Sequence, residues 1–519
     1  MKKLVVIVAP GRFRELLSSL TLPVAVARMC NWLRRERPGV ECHVIDGHLS
    51  FGQPVTEAGE RKVHARLLDA LDGLVDGETL VGFSTFANRE IVHALPLARA
   101  IKARYGVPVV LGGYAASTCA ELVASRYPDL FDGVVASAGE QAAVALMDEL
   151  DGGRLRDRSR VPNLVYSDDG HVHVNVRVPA PRLRDAAPLD LSMIRDVRSF
   201  EMLPYFSSAG CPHRCDFCFE PRLYPKYDAN RAGIVLRDID AALGTWIVPR
   251  YVSFVDPLFG HDSRQAAPLL EGLRDRGVRY SLYTRVDTLG PELFERMAGH
   301  CALIFIGLEA FTGDVLTYMK KTRSPARYED AMRRTARLAF EHGVTPQIGV
   351  IPNYPLNRRA DVERIFRFFD ELAELHESVC PRDGPGFLVT VFGYTIWHGL
   401  PHARDLADLE ARGMTWAPGF PADYHGEPVA VDLRRDVRDA SPDYTYQEFV
   451  EDRQRLYGKA LATERARAHQ ADCYTLGFMN SATSTFVRLD GEPLVWTDGD
   501  HDVLDVKAMY DARIRAGGS

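Results

Sequence analysis

Short apolar runs alternate with amphipathic stretches along the first 150 residues. The runs lie at residues 4–8, 40–45, 80–83, 108–111 and 132–136, and each is near-continuous in Val, Ile or Leu instead of alternating with polar residues. Runs of that kind belong to strands covered on both faces, as in a parallel sheet. The stretches between them, at residues 22–35, 60–74, 90–104 and 141–150, carry one apolar and one polar face, the pattern of helices packed on a sheet. Five βα units in series predict an α/β, doubly wound, Rossmann-like domain over residues 1–152.

Residues 153–198 are rich in Pro, Asp, Arg and Ser and read as a linker, with a small hairpin expected at residues 163–176 around Asp168-Asp169-Gly170. A second series follows. Its strand-like runs lie at residues 203–207, 251–255, 279–284, 303–308, 345–351 and 387–392, with helical stretches such as 264–276, 327–341 and 359–375 between them. A full eight-strand barrel needs about 250 residues. Six units therefore predict a partial (βα)6 TIM-type barrel over residues 199–415. Residues 416–519 differ in kind, with a charged helical stretch at 442–468 and a hairpin at 485–496 around Asp490-Gly491. They are expected to form a small, separate α+β C-terminal module.

Composition narrows the function classes. The chain has 63 Lys and Arg against 70 Asp and Glu, a net charge of -7, which disfavours a nucleic-acid partner. The apolar start at residues 4–10 is too short for a signal-peptide core, and no run of eighteen apolar residues offers a membrane helix. A cytoplasmic protein without a membrane partner is expected. Of nine cysteines, Cys30, Cys42, Cys119, Cys301, Cys380 and Cys473 stand alone and read as small core hydrophobes. An odd count in a long chain argues against a disulfide framework.

Candidate chemistry sits in two places. In doubly wound sheets ligands bind beyond the carboxyl ends of the strands. Here those ends read Ala9-Pro10-Gly11, Ser84-Thr85-Phe86, Gly112-Gly113-Tyr114-Ala115-Ala116-Ser117 and Ser137-Ala138-Gly139-Glu140. Small and hydroxylated residues allow close backbone approach and hydrogen bonding, and they equally make ordinary βα turns. No G-x-G-x-x-G follows the first strand, which disfavours a nicotinamide cofactor. The second place is the loop after the first barrel strand, where Cys211, Cys215 and Cys218 form a Cys-x3-Cys-x2-Cys triplet. Thiolates are the soft ligands that iron–sulfur clusters require, and three of them can hold three irons of a cubane and leave the fourth open. Zinc with His213 as a fourth ligand is the competing reading, but the spacing lacks the paired Cys-x2-Cys form of zinc ribbons.

This triplet resembles the signature of the radical S-adenosylmethionine (SAM) superfamily, and the likeness extends over about residues 200–415. Phe217 stands at the aromatic position before the third cysteine, where the resemblance implies packing beside the SAM adenine. Ser253-Phe254-Val255-Asp256, Arg285-Val286-Asp287 and Gly307-Leu308-Glu309, followed by Met319-Lys320-Lys321, resemble the ends of the second, third and fourth strands. Arg285 and Glu309 are then expected to orient SAM, with a structural ion pair as the competing role of each. The turn after the fifth strand, Gly349-Val350-Ile351-Pro352-Asn353-Tyr354-Pro355, departs from the usual Gly-x-Pro-Gly, with Asn353 expected to supply a left-handed residue.

A doubly wound domain directly before such a barrel resembles the cobalamin (B12)-dependent radical SAM enzymes, with the class B methyltransferases as the nearest type. Val44-Ile45-Asp46-Gly47-His48, Gly112-Gly113-Tyr114-Ala115-Ala116-Ser117 and Gly139-Glu140 carry that likeness. It implies base-off cobalamin over Ser84, Thr85, Gly112, Gly113, Ser117, Gly139 and Glu140. His48 is expected to give no cobalt ligand, because the Asp-x-His-x-x-Gly motif lacks its glycine. The implied activity is C-methylation of an unactivated carbon in a natural product or peptide, through a 5'-deoxyadenosyl radical and methylcobalamin, with flavodoxin or ferredoxin as electron donor. The alternatives are a non-methylating cobalamin enzyme (ring rearrangement, cyclisation or oxidation), a cobalamin-free radical SAM oxidoreductase, a methylthiotransferase and a non-enzymatic iron–sulfur module. A methylthiotransferase would need a second cluster from Cys30, Cys42 and Cys119, of which only Cys119 lies near the ligand edge. Tyr394, Trp397 and His398 are candidates to line a substrate pocket, although Trp397 equally suits core packing. His402 reads as surface, and Tyr474 and Met479 are candidates to close the barrel mouth.

Overall fold

The computed structural model describes residues 1–11, 16–18, 22–197, 202–243, 245, 251–380, 384–417, 420–430, 434–461, 463–466, 475–480, 485–488, 499, 501–505 and 508. The first domain is built on seven strands: β1 (Lys3–Val8), β2 (Glu41–Asp46), β3 (Thr79–Ser84), β4 (Val109–Gly112), β5 (Gly133–Val135), β6 (Leu164–Asp168) and β7 (His171–Val174). They lie in the order β7-β6-β5-β4-β3-β1-β2. The first five in sequence pair in parallel, and β6 and β7 are antiparallel. The continuous apolar character of β1 has a direct cause. Leu4 and Val6 pack into one hydrophobic cluster with the helix Val24–Glu36, while Val5 and Ile7 pack into another with the helices Glu57–Leu71 and Asn88–Tyr105. A strand buried on both sides has no face to leave polar.

The hairpin expected at residues 163–176 is present as β6 and β7, but it is not part of a free linker. Leu164 and Val165 pair with Val135 and Val134, so the hairpin extends the first sheet. Further on, the backbone of Val44 exchanges hydrogen bonds with Met193 and Arg195 along the far edge of β2.

The second domain is an open barrel of six strands: β8 (Met202–Tyr205), β9 (Tyr251–Phe254), β10 (Arg279–Thr284), β11 (Cys301–Glu309), β12 (Thr345–Val350) and β13 (Leu388–Val391). All are parallel and adjacent in sequence order. Alternate residues point to opposite faces of a strand. Leu282, Ile304, Ile306, Ile348, Val350, Val389 and Val391 join the core beneath the surrounding helices. Met202, Tyr251, Leu303 and Leu388 form a separate cluster that closes the amino end of the barrel interior. The carboxyl ends of the strands stay open, and the cysteine loop leaves from there.

The described parts of residues 416–519 do not form a module set apart from the two domains. Asp423–Tyr424 pairs with Glu427–Pro428 in a small hairpin that docks on the first domain. There the Tyr424 hydroxyl donates to Glu60, His425 lies 2.9 Å from the same carboxylate, and Arg99 pairs with Glu427 at 2.9 Å. Val503 and Leu504 pair with Pro54 and Gln53. Arg434–Asp436 pairs with Thr395–Trp397 beside the barrel. The helix expected at residues 442–468 is shorter, Tyr446–Gly458, and starts on a Thr445–Glu448 capping box. Thr485–Arg488 pairs back onto Thr475–Asn480. The turn at Asp490-Gly491 lies outside the described residues. No described helix is long and apolar enough to cross a membrane.

The Glu60 latch makes a prediction. Tyr424→Phe removes one donor from a fully buried carboxylate, at a cost of about 1–3 kcal/mol. The variant should unfold at lower urea and be cut faster by protease within residues 420–430. Unchanged cleavage there would show that the hairpin docks by its apolar contacts alone.

Candidate active site

The cysteine loop is positioned from β8 by two desolvated carboxyl groups, Asp256 buried and Glu220 half-buried. Ser207 and Ser208 both donate side-chain hydrogen bonds to Asp256 just past β9, at 2.5 and 2.7 Å, and the Ser207 backbone N–H donates to it as well. Asp256 is fully buried, and desolvation outweighs those donors, pushing its pKa up to about 6. Gly210 then turns the chain at φ +76°, where a Cβ would stand 2.2 Å from the Lys226 carbonyl oxygen. Only glycine fits that approach. Its N–H donates to Glu220 at 3.0 Å, and burial pushes that carboxyl up to about 7. The far side of the loop is held by Asp216, whose N–H donates to the Met319 carbonyl at 3.0 Å and whose carboxylate pairs with Lys320 at 2.9 Å.

Cys215 is buried, and Cys211 and Cys218 are half-buried; all three are free thiols. Desolvation pushes the Cys211 thiol up and that of Cys218 to about 12. Thiols in that state ionise only beside a strong positive partner. Arg285 Nη1 stands 3.8 Å from Cys215 Sγ, and bound iron would supply the rest. Among the described residues no three His, Cys, Asp or Glu side chains are grouped to hold a single metal ion, the three thiols included. His213 is held low, to about 4, by burial and by the Arg285 charge. Three soft donors in Cys-x3-Cys-x2-Cys spacing on one loop suit an iron–sulfur cluster.

Arg285 and Glu309 sit in one ion-pair network around this loop. Arg285 binds Asp287 at 3.0 Å and the Lys321 carbonyl at 2.9 Å, with its guanidinium 5.4 Å over the Tyr328 ring. Lys321 Nζ lies 3.1 Å from Glu309 and 5.4 Å over the ring of Phe217. Glu309 takes φ +71° where β11 bulges, and its carboxylate folds back over Gly307. A non-glycine residue in that region costs about 1–3 kcal/mol and persists only when its surroundings impose it. The structural ion pair is thus formed at both positions. Asn353 does not take a left-handed conformation; Leu356 does, at φ +67°, and Asn353 instead accepts the Tyr394 N–H at 2.8 Å.

At the carboxyl edge of the first sheet the small residues build the turns themselves. The Thr85 hydroxyl donates to the Gly112 carbonyl at 2.9 Å and accepts the Ala116 N–H at 3.2 Å. Ser117 donates to the Gly113 carbonyl at 2.7 Å and accepts the Ser137 N–H at 2.9 Å. Gly113 has φ +100°, with Thr85 backbone 2.4 Å from its absent Cβ, and the same position of Gly139 lies 2.9 Å from Met29 sulfur. The Gly112 position meets only Val135, at 3.7 Å. Ser84, Gly112, Gly139 and Glu140 are half-exposed along this edge, and burial raises the Glu140 carboxyl. His48 is fully buried and its Nε2 receives the Gly11 N–H at 3.1 Å. Cys30 packs beside Cys42 on one side of the sheet and Cys119 lies in the core of the other, so the three do not share a site.

The two domains meet at aromatic residues. Tyr114 of the first lies edge-on to Trp397 and Phe219 of the second, with ring centroids 5.5 and 6.0 Å apart. His398 is exposed. Tyr394 is buried, with its hydroxyl 2.8 Å from His402 Nδ1, and His402 is buried too, contrary to its surface reading. Tyr474 and the side chain of Met479 lie outside the described residues. Sequence reasoning quoted Lys321 and Asp256 within motifs but gave neither a role, and it did not single out Glu220. Lys321 follows Glu309 by twelve residues, a separation that carries no distance information until the fourth βα unit folds.

Residues 205–369 match the model of the Radical SAM superfamily. This chain carries a radical SAM domain. Its cofactors are a 4Fe-4S cluster and SAM, and the cysteine triplet lies inside the matched segment. The whole fold is similar to that of the cobalamin-dependent SAM radical enzyme OxsB, with a TM-score of 0.65, 16% identity, and coverage of 91% of this chain and 72% of that one. It is also similar to the radical SAM methyltransferase TsrM from Kitasatospora setae, with a TM-score of 0.60, 19% identity and coverage of 82% of both. The Rossmann-like domain followed by a radical SAM barrel is thus a shared fold. Bacteriochlorophyllide d C-12(1)-methyltransferase of Chlorobaculum tepidum is 31% identical over 127 residues, which span 23% of this chain and only 27% of that relative.

Asp256 yields a pH prediction. Its folded pKa of about 6 lies above the ordinary 3.8, so the fold favours the neutral carboxyl. The associated stability is complete below pH ~4 and is lost as pH rises through about 6, in total roughly 3 kcal/mol. Urea unfolding of Asp256→Asn should lack this slope. Parallel pH profiles for the variant and the parent would refute the assignment.

Proposed function

We propose that the protein is a cobalamin-dependent radical SAM methyltransferase that methylates an unactivated carbon of a natural-product or peptide substrate. The observation that carries the reading is the opposition of two sites. The three-thiol loop leaves the open end of the barrel, and the carboxyl edge of the doubly wound sheet meets it through Tyr114, Trp397 and Phe219. OxsB and TsrM, which share the fold, are named as cobalamin-dependent or as binding cobalamin. The Chlorobaculum tepidum relative is named as a methyltransferase.

Cys211, Cys215 and Cys218 would hold the cluster as thiolates, with Arg285 nearest to Cys215. Phe217, fixed between Lys321 and the Tyr354 ring 6.3 Å away, would offer a flat apolar face to the adenine. Arg285 and Glu309 would hold the Lys321 network and so set the place of Phe217. Ser84, Gly112, Gly139 and Glu140 would line the cobalamin edge, with Thr85, Gly113 and Ser117 bracing the turns beneath. When bound, the cluster supplies the electron that cleaves SAM, and cobalamin supplies a transferable methyl group. The barrel wall would shield the reacting atoms from water once substrate fills the space between. An external flavodoxin or ferredoxin is the expected electron donor.

The test uses the reconstituted full chain with deuteromethyl-labelled SAM. Stoichiometric cobalt, 5'-deoxyadenosine formation and a labelled methyl group in the substrate are expected, with all SAM cleavage lost in Cys218→Ala. Cleavage without methyl transfer would replace this reading by a rearrangement, cyclisation or oxidation. Cleavage without bound cobalt would replace it by a plain radical SAM oxidoreductase.

A further inference from the structure

The upper half of the barrel interior has a composition of its own. Along β10 to β13 the core-facing residues Leu282, Ile304, Ile306, Ile348, Val350, Val389 and Val391 are buried. The residues that alternate with them, Tyr283, Phe305, Gln347 and Thr390, keep partial exposure, and Phe392, just past β13, is 43% exposed. An inward-pointing side chain stays exposed only if the interior above it is open. The amino end is shut by Met202, Tyr251, Leu303 and Leu388, so this opening is a chamber and not a channel.

Its wall is aromatic on one side. The rings of Tyr283 and Phe305 lie 4.9 Å apart, and those of Phe305 and Phe392 lie 6.1 Å apart at 69°. They converge because position 349 is glycine: a Cβ there would stand 2.7 Å from Phe305 Cζ and 3.1 Å from Phe392 Cε2. The polar residues among them are spent on each other, since the Gln347 amide donates to the Thr390 hydroxyl at 2.7 Å. None of these inward positions carries a charge. The nearby ions are already paired, Lys321 with Glu309 and Arg285 with Asp287. On the facing sheet edge, Phe86 leaves 71% of its surface exposed beside Tyr114.

From this chamber we infer the substrate class: a molecule that presents a flat, unsaturated ring without an anionic group to Tyr283, Phe305 and Phe392. Angled rings 5–6 Å apart leave faces and edges for a further ring to stack upon, and such contacts add to the gain from apolar burial. An anionic group placed there would lose its hydration and meet electron-rich ring faces, with no cation of the wall to replace it. The inference rests on the barrel being the reaction chamber, as proposed above, and it narrows the substrate from any natural product or peptide to one with such a ring at the reacting end.

The experiment titrates the full-length protein with N-phenylnaphthylamine, an uncharged flat fluorophore, and tests competition by the benzenesulfonate anion. The probe is expected to bind and brighten, Phe392→Ala and Phe305→Leu to weaken it about tenfold, and the anion to compete poorly. Val174→Ala, at an exposed apolar residue on the far edge of the first sheet, should leave it unchanged. Thermal midpoints certify that each variant is folded; Phe392 is exposed enough for its truncation to be tolerated. Equal affinity in Phe392→Ala and the parent, or stronger binding of the anion, overturns the inference. SAM cleavage by the cluster-loaded parent is measured alongside. Its absence with intact probe binding counts against the proposed function and leaves the chamber assignment standing.

Discussion

Three thiols on one short loop, one buried and two half-buried, need positive charge if they are to act as ligands. That constraint organises the second domain. The loop is pinned by carboxyl groups that are themselves desolvated: Asp256 beneath Ser207 and Ser208, and Glu220 beneath Gly210. Buried carboxyls and buried thiols are both costly in isolation. They persist because backbone donors and hydroxyls satisfy the first, and the chemistry of the site favours a cationic cluster for the second. A rigid loop follows, since each anchor loses its compensation if the loop moves.

The cations around the loop are arranged by the same economy. Lys321 and Arg285 are almost fully buried, and each meets a carboxylate, Glu309 and Asp287. Breaking a buried pair by removing one partner typically costs 3–5 kcal/mol, which is enough to hold Glu309 at its unfavourable φ. The strained strand end and the cation over Phe217 are therefore one feature. The first domain contributes on the opposite side. Its hydroxyls are consumed in bracing the βα turns, so what it presents to the barrel is backbone, Ser84, Glu140 and the Phe86–Tyr114 pair. The hairpin after residue 420 ties this domain down through Glu60.

Much of this was legible in the chain itself. The near-continuous apolar runs announce parallel strands because a strand covered on both faces cannot afford a polar side. The cysteine spacing announces a cluster loop because three ligands so close in sequence need no long-range folding to meet. Local signals of this kind survive without tertiary information. The readings that shifted are those that depend on pairing between distant segments. The hairpin of residues 164–174 joins the first sheet, the residues past 415 strap both domains, and His402 is buried against Tyr394. In each case the partner lies far away in sequence or is chosen by shape.

By itself, then, the sequence determined two βα series, a three-thiol loop at the head of the second, and edge turns of small residues in the first. It did so because periodicity, ligand spacing and glycine or hydroxyl content are properties of neighbouring residues. Only the tertiary structure decided that Arg285 and Glu309 spend their charges on Asp287 and Lys321, that Thr85 and Ser117 brace turns, and that Tyr283, Phe305 and Phe392 open onto one uncharged chamber. Those outcomes depend on which groups meet once the barrel closes. Burial and charge pairing act through space, at distances the order of residues does not record.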